Sequence, residues 1–138
     1  MTPMMFVNLP VVDPARSRAF FTSLGFRFDA MFCDEGTLCM IINDATMVML
    51  HERRRFAGYA AWPSGHRLPP GREALLAVSA DSRHEVDRFA DAALAGGGTH
   101  LRDADDLGFM YCRSFCDPDG HAWEIVWMDP SSIPATDD

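Results

Sequence analysis

The sequence has 138 residues, of which 48% are hydrophobic, so a domain with a sizeable core is expected without disulfide support. Twelve basic residues stand against 20 acidic ones, and every basic residue is an arginine, which excludes chemistry that needs a lysine amine. The net charge of −8 argues against nucleic acid or anionic membranes as partners, and no apolar segment approaches the roughly 20 residues that span a bilayer.

The N-terminus and the cysteines both favour a cytoplasmic protein. Residues 1–12 contain neither the basic residues nor the cleavage site of a secretory signal. The four cysteines lack zinc-finger spacing, and we expect them to be free thiols in a reducing compartment.

The first half of the sequence predicts one strand, one helix and three further strands. Residues 5–12 are largely apolar and predict the first strand. Asp13 and Pro14 suit the N-cap and the first position of a helix, which Gly25 ends. The further strands are expected where apolar residues cluster or alternate between turn residues, at 26–33, 38–42 and 46–50.

Residues 52–72 form a connector rich in glycine and proline, and a connector of this length is typical of linkers and lids. Its three consecutive arginines, residues 53–55, are expected to form a solvated run, with an anion clamp as the alternative. Trp62 is expected to act either as a lid over a pocket or as an interface anchor.

The second half repeats the order of the elements. A strand at residues 73–80 precedes a helix whose start carries Ser82 and Glu85, the spacing of a capping box. Three consecutive glycines end that helix. Further strands are expected at residues 99–102, 109–116 and 122–128, with a tight turn at 117–120.

The two halves form an internal repeat. Asp13 and Asp81 hold the same place before their helices, and Asp44 and Asp119 hold the same place in the last hairpins. The sequence therefore predicts an α+β fold of two βαβββ modules. Within a single domain, 1–138, module one is expected at 5–51, the connector at 52–72, module two at 73–129 and a tail at 130–138.

Two motifs carry a resemblance to a known family. They are Val12-Asp13-x-x-x-Ser17-x-x-Phe20-Phe21-x-x-Leu24-Gly25-Phe26 and Asp117-Pro118-Asp119-Gly120-His121-x-Trp123-Glu124. With them the chain resembles the vicinal oxygen chelate superfamily, which includes glyoxalase I, bleomycin and fosfomycin resistance proteins and extradiol dioxygenases. The resemblance covers residues 5–129. It implies two βαβββ modules that form a curved half-barrel around a cavity for a small organic molecule, in a homodimer.

In metal-using members of that superfamily, four side chains hold a divalent ion, one from the first and one from the last strand of each module. The four positions match Phe6, Met49 or Leu50, Ala74 or Leu75, and Glu124. Glu124 alone is a good ligand for a hard cation, so we expect no cofactor. The alternative is a divalent metal held by Glu124 and His51, with Asn8 as a weak third ligand.

The candidate site residues are those that the resemblance and strand alternation bring toward the cavity. Glu124 is the candidate catalytic acid or base, with a structural ion pair to an arginine such as Arg113 as the alternative. His51 is a candidate ligand or base, or else a polar residue at a strand end. Tyr111 and Arg113 either bind the ligand or lie on an exposed outer face of the sheet. The methionines, Met49 among them, either line the cavity or belong to the core. The expected ligand-binding residues are Phe6, Asn8, Met49, His51, Tyr111 and Arg113.

Two function hypotheses follow from these residues. In the first, the protein binds or sequesters a small organic molecule without a metal, as in the bleomycin-resistance branch, because most of the ligand positions lack donor atoms. In the second, it is a glyoxalase-like lyase or isomerase that uses Glu124 as a base, with or without a metal. The fold alone does not decide between them.

Overall fold

A computed structural model describes residues 2–60, 65 and 71–132. The chain forms two compact units, Met1–Gly71 and Arg72–Asp138. Among the described residues, no helix is both long enough and apolar enough to cross a membrane.

The first unit contains a four-stranded sheet. Its elements are β1 (Met5–Val11), α1 (Pro14–Ser23), β2 (Arg27–Phe28), a 3-10 helix (Ala30–Phe32), β3 (Thr37–Asn43), β4 (Thr46–Glu52) and α2 (Arg53–Tyr59). The strand order is β1-β4-β3-β2, with β1 parallel to β4 and the other neighbours antiparallel.

Helix α1 begins as the sequence predicts and covers one face of this sheet. The Asp13 carboxylate accepts a hydrogen bond from the amide of Ala15 at 3.0 Å, and Pro14 occupies the first helical position. The apolar side of the helix is buried and packs toward β3 and β4. The core of this unit is formed by Val11, Phe20, Phe21, Leu24, Leu38, Met40, Val48 and Leu50.

The second unit repeats this arrangement. Its elements are β5 (Leu75–Ser79), α3 (Arg83–Ala95), β6 (Thr99–His100), β7 (Asp105–Asp106), β8 (Met110–Cys116) and β9 (Ala122–Met128). The strand order is β5-β9-β8-β6, β7 pairs with β8, and β5 runs parallel to β9. Helix α3 packs on β8 and β9, and the Ser82 hydroxyl caps it by accepting from the amide of Glu85 at 3.1 Å.

A buried carboxylate organises the hairpin between β8 and β9. The side chain of Asp117 accepts hydrogen bonds from the amides of Asp119 and His121 and from the indole nitrogen of Trp123, at 2.9 to 3.0 Å. Burial raises the pKa of the Asp117 carboxyl, against the opposing effect of these donors. The turn is therefore organised around a buried carboxylate, and the Trp123 side chain that binds it is buried as well.

The α+β class and the two βαβββ modules are confirmed. The last strand of the second module has the predicted bounds, and the first strand ends one residue earlier than predicted. All four cysteines are free, as expected, and Cys112 and Cys116 are buried.

Three element predictions are wrong in their details. The predicted strand 26–33 is cut to Arg27–Phe28, because the Asp29 carboxylate accepts from the amide of Met31 and starts a 3-10 helix. The predicted connector begins with α2, which Glu52 caps by accepting from the amide of Arg55 at 2.8 Å. The predicted strand 99–102 ends at His100, and β7 is additional. Trp62 and the tail beyond residue 132 lie outside the described residues.

Candidate functional site

The second unit holds Glu124 in the middle of β9, on the sheet face opposite to α3. Its register partners are Ser114 on β8 and Ala77 on β5. Directly paired residues share a face, so Glu124 points away from the buried Trp123 and Ile125, as strand alternation predicts. The Glu124 side chain is only 15% exposed. A carboxylate with so little exposure needs a partner.

That partner is Arg102, which lies in the segment between β6 and β7. Its Nη2 donates to Glu124 Oε2 at 2.7 Å and lies 3.7 Å from the buried Sγ of Cys112. The bond to Glu124 raises the pKa of Arg102, and burial raises the pKa of the Cys112 thiol. The site therefore contains the Arg102–Glu124 ion pair, whose charges cancel, and beside it the protonated thiol of Cys112.

An open pocket of about 320 Å³ lies beside this pair within the second unit. Three charged residues, Arg72, Glu73 and Arg102, line it together with four apolar ones, Ala74, Leu75, Leu101 and Ala122. Arg72 donates from Nη1 to the carbonyl of Gly120 and from Nη2 to Cys116 Sγ at 3.2 Å. The pocket thus combines two arginine side chains with an apolar wall.

Tyr111 and Arg113 lie on the other face of the sheet, against α3. The Tyr111 hydroxyl donates to Asp87 at 2.6 Å, and Arg113 donates to Asp91 at 2.8 Å and to Asp87 at 3.1 Å. The suggestion that Arg113 pairs with Glu124 is wrong, because alternation along β8 turns Arg113 to the opposite face. The role of Tyr111 and Arg113 in ligand binding stays a prediction.

Arg72 and Arg102 were not among the residues that the sequence indicated. Arg102 follows a short strand and Arg72 ends a connector, so neither lies in a periodic pattern. The one available signal is that a carboxylate in an apolar strand requires a cation, and this chain can supply only arginine or histidine.

In the first unit, the sheet register brings four of the predicted residues to one face. Asn8 pairs with Met49 across β1 and β4, while Phe6 precedes Asn8 and His51 follows Met49 at the next position on the same side of each strand. Phe6 and Asn8 are exposed, Met49 is half-buried and His51 is buried. Met49 is therefore not part of the core, whereas its neighbour Leu50 is fully buried.

His51 is held at both ring nitrogens. Nε2 lies 2.7 Å from Asn8 Oδ1, and Nδ1 lies 2.9 Å from Thr37 Oγ1. Asn8 uses its amide nitrogen to donate to the Phe6 carbonyl, so its oxygen faces His51 and Nε2 carries the proton. Thr37 accepts from Arg55 at 2.8 Å and therefore donates to Nδ1. This pattern fixes a neutral imidazole.

The surroundings of His51 also disfavour its charged form. Burial lowers the pKa of His51, and the nearby positive charge of Arg55 lowers it further. Arg55 binds both oxygens of Asp34, at 2.7 and 2.9 Å. Of the arginine run, Arg53 and Arg54 are exposed, whereas Arg55 anchors α2 to the turn before β3.

The comparisons with known proteins agree with this architecture. The sequence matches the family model of the Glyoxalase/Bleomycin resistance protein/Dioxygenase superfamily over residues 4–125. The chain belongs to this superfamily. The resemblance that the two motifs carry is thereby confirmed, whereas no curated protein matches the sequence significantly.

Several solved structures share the fold at low sequence identity. A hypothetical protein, SA1046, of S. aureus has a TM-score of 0.73 at 23% identity, with 92% of this chain and 94% of that chain covered. A superfamily enzyme of Burkholderia phytofirmans PsJN has a TM-score of 0.71 at 17% identity, with 92% of this chain and 99% of that chain covered. A lactoylglutathione lyase of Agrobacterium tumefaciens has a TM-score of 0.66 at 16% identity, with 96% of this chain and 98% of that chain covered. These similarities show the fold alone.

The side chains of this superfamily member do not fit the divalent metal that metal-using members hold. The β3–β4 register pairs Cys39 with Met49, and the β8–β9 register pairs Ser114 with Glu124. Cys39 and Ser114 are as far apart in the sequence as Asp44 and Asp119, and so are Met49 and Glu124. Met49 rather than Leu50 is therefore the counterpart of Glu124 in the first unit. A thioether there is a poor ligand for a hard cation. Within 2–60, 65 and 71–132, no three His, Cys, Asp or Glu residues are grouped to hold an ion.

The lowered pKa of His51 predicts a loss of stability on acidification. The unfolded chain takes up this proton at the ordinary histidine pKa of about 6.5, whereas the folded chain resists it until a lower pH. The neutral His51 therefore makes its full contribution to the free energy of unfolding above the ordinary histidine pKa. This contribution is lost as the pH falls from there toward the lower pKa that His51 has in the folded chain.

We expect His51→Gln to flatten the dependence of the free energy of unfolding on pH between about 7 and 5, measured by urea denaturation at each pH. His100→Gln, which removes a histidine with a 63% exposed side chain, is the matched control. An equal slope in wild type and His51→Gln would contradict the assignment of a neutral imidazole.

Proposed function

We propose that this protein binds a small organic molecule in the second unit, beside Glu124 and Arg102, without a divalent metal. The observation that carries the proposal is the 2.7 Å ion pair between these two residues. In it a guanidinium neutralises the one carboxylate that matches a ligand position of the superfamily. A metal ion would have to displace that arginine and would find too few further ligands among the described residues.

The first unit supports the same proposal. His51 is the other candidate metal ligand of the alternative, and both of its nitrogens already hydrogen-bond, one to Asn8 and the other to Thr37. Metal binding through either nitrogen would break one of these bonds, each of which contributes about 0.5–1.5 kcal/mol. The role of Phe6, Asn8 and Met49 in ligand binding stays a prediction.

The test of the metal-free site is a metal analysis of the purified protein, followed by calorimetric titration with Zn²⁺, Ni²⁺ and Mn²⁺. We expect no binding tighter than about millimolar, which corresponds to a binding free energy of about −4 kcal/mol. Glu124→Gln should leave the weak residual binding unchanged. Glu85→Gln is the matched control, because Glu85 also pairs with an arginine, Arg88, but on the surface of α3. A stoichiometric metal that is lost on Glu124→Gln alone would overturn the proposal.

A second proposal is a glyoxalase-like lyase or isomerase in which Glu124 accepts a proton from the substrate. The observation that favours it is a 15% exposed carboxylate on an otherwise apolar strand, next to an open pocket. Turnover of a thiol hemithioacetal by the wild type, reduced at least about 100-fold in Glu124→Gln, would support it. Equal rates in the two proteins would exclude it.

We further propose that the protein is a cytoplasmic homodimer. Frequent dimerisation in the superfamily supports this proposal, and the net charge of −8 favours a small-molecule ligand over nucleic acid. The molar mass in solution tests the dimer, because a mass of 15.4 kDa at micromolar concentration would show a monomer.

A further inference from the structure

We infer that the ligand is a small organic monoanion whose carboxylate binds between Arg72 and Arg102 in the pocket of the second unit. This inference rests on the proposed function, because it names the chemical class of the molecule bound beside Glu124. It depends on three features of the pocket, namely the charge of Arg72, the fixed orientation of Arg102 and the apolar wall.

Arg72 supplies a positive charge that the described residues do not neutralise. Its two acceptors, the Gly120 carbonyl and the Cys116 thiol, are both neutral, and no described carboxylate lies within ion-pair distance of it. These two bonds hold the guanidinium against the hairpin between β8 and β9. A guanidinium has five N–H donors, so others remain for a carboxylate from the pocket.

Arg102 supplies a second guanidinium whose orientation is already fixed. Its Nη2 is used by Glu124 and Cys112, while Nη1 and Nε have no further partner among the described residues. The pair with Glu124 orders this side chain before any ligand arrives, which lowers the entropic cost of binding. Glu124 is in this sense a positioning residue for Arg102.

The remaining lining restricts both the charge and the size of the ligand. Glu73 lines the same pocket and repels a second negative charge, which favours a monoanion over a phosphate that carries about two charges at neutral pH. Leu75, Leu101 and their alanine neighbours form an apolar wall, and a volume of about 320 Å³ is at the lower end for ligand sites. A carboxylate on a compact apolar body meets these conditions.

The test compares three probes that share a phenyl ring in calorimetric titrations of the full chain: benzoate, the neutral benzamide of nearly the same shape, and phenyl phosphate. We expect benzoate to bind at least about tenfold more tightly than benzamide, since hydrogen bonds to a charged group are the stronger ones. Phenyl phosphate should bind no more tightly than benzoate. Tighter binding of phenyl phosphate would overturn the carboxylate assignment.

Matched variants assign the contact to these arginines. Arg72→Gln should weaken benzoate about tenfold or more and leave benzamide unchanged. The double variant Arg102→Gln with Glu124→Gln removes the second guanidinium without leaving an unpaired carboxylate, and should also weaken benzoate selectively. Arg88→Gln removes one arginine from the surface of α3 and should have no effect. Circular dichroism and thermal unfolding verify that each variant is folded.

The failures of the two proposals are distinguishable. Equal binding of benzoate and benzamide, no benzoate binding, or no effect of Arg72→Gln would overturn the anion assignment. If the two probes bind equally and both compete for the same site, small-molecule binding stands and only the charge of the ligand is wrong. A stoichiometric metal would instead overturn the metal-free function, whatever the probes show.

Discussion

Replacing Asp117 by alanine is expected to lower the free energy of unfolding by about 3 kcal/mol, because three donors then lose a charged acceptor. The indole nitrogen of Trp123 is the most costly of them, since this side chain is 1% exposed and water cannot replace the carboxylate. The amides of Asp119 and His121 are closer to the surface of the turn. Urea denaturation at neutral pH measures the loss.

Asp117→Asn separates the charge from the hydrogen bonds. The asparagine oxygen can still accept from the amides of the turn, but its nitrogen cannot accept from Trp123, so a smaller loss is expected. Burial raises the pKa of Asp117, so removal of the charge also removes an unfavourable desolvation. In a Trp123→Phe background the Asp117→Asn substitution should cost less than in the wild type. Equal costs in both backgrounds would contradict a direct bond between the two side chains.

The sequence predicts the fold well where the local pattern and the tertiary contacts agree. A run of apolar residues between two turns sets the bounds of β9, and the alternation of side chains along a strand puts Glu124 on the face opposite to Trp123. The offset between the two halves of the repeat reappears in the two hairpin registers. Prediction fails where one side chain redirects the backbone. Asp29 ends β2 early and Glu52 starts a helix in the predicted connector, and neither effect is visible in a pattern of apolar residues.

The candidate site is only partly predictable, for a physical reason. A strand position fixes the face of Glu124, but the cation that neutralises it comes from a segment after β6 whose course depends on tertiary contacts. Alternation along β8 places Arg113 on the face that α3 covers, yet its partners, Asp87 and Asp91, follow only from the packing of that helix. The donors and acceptors around His51 likewise come from β1, β3 and α2.

Arg102→Met is expected to lower the free energy of unfolding by about 2 kcal/mol, because it leaves the Glu124 carboxylate without a cation. The value lies between those of surface and buried ion pairs, since Glu124 is 15% exposed and Arg102 is 45% exposed. Glu124→Gln should cost less, since the guanidinium of Arg102 is the more exposed partner and water can solvate it. Combining the two substitutions should recover most of the stability lost in Arg102→Met.

The pair formed by Arg88 and Glu85 is the matched control, because it joins the same residue types with 42% and 37% exposed side chains. Arg88→Met should therefore change the free energy of unfolding much less than Arg102→Met, because both of its charges are well solvated. Urea denaturation of all variants measures these differences, and unchanged m-values would show that the denatured states are comparable. If Glu124→Gln does not restore the stability lost in Arg102→Met, the loss of stability arises from the packing of the arginine stem. The ion pair would then not explain the presence of a glutamate on β9.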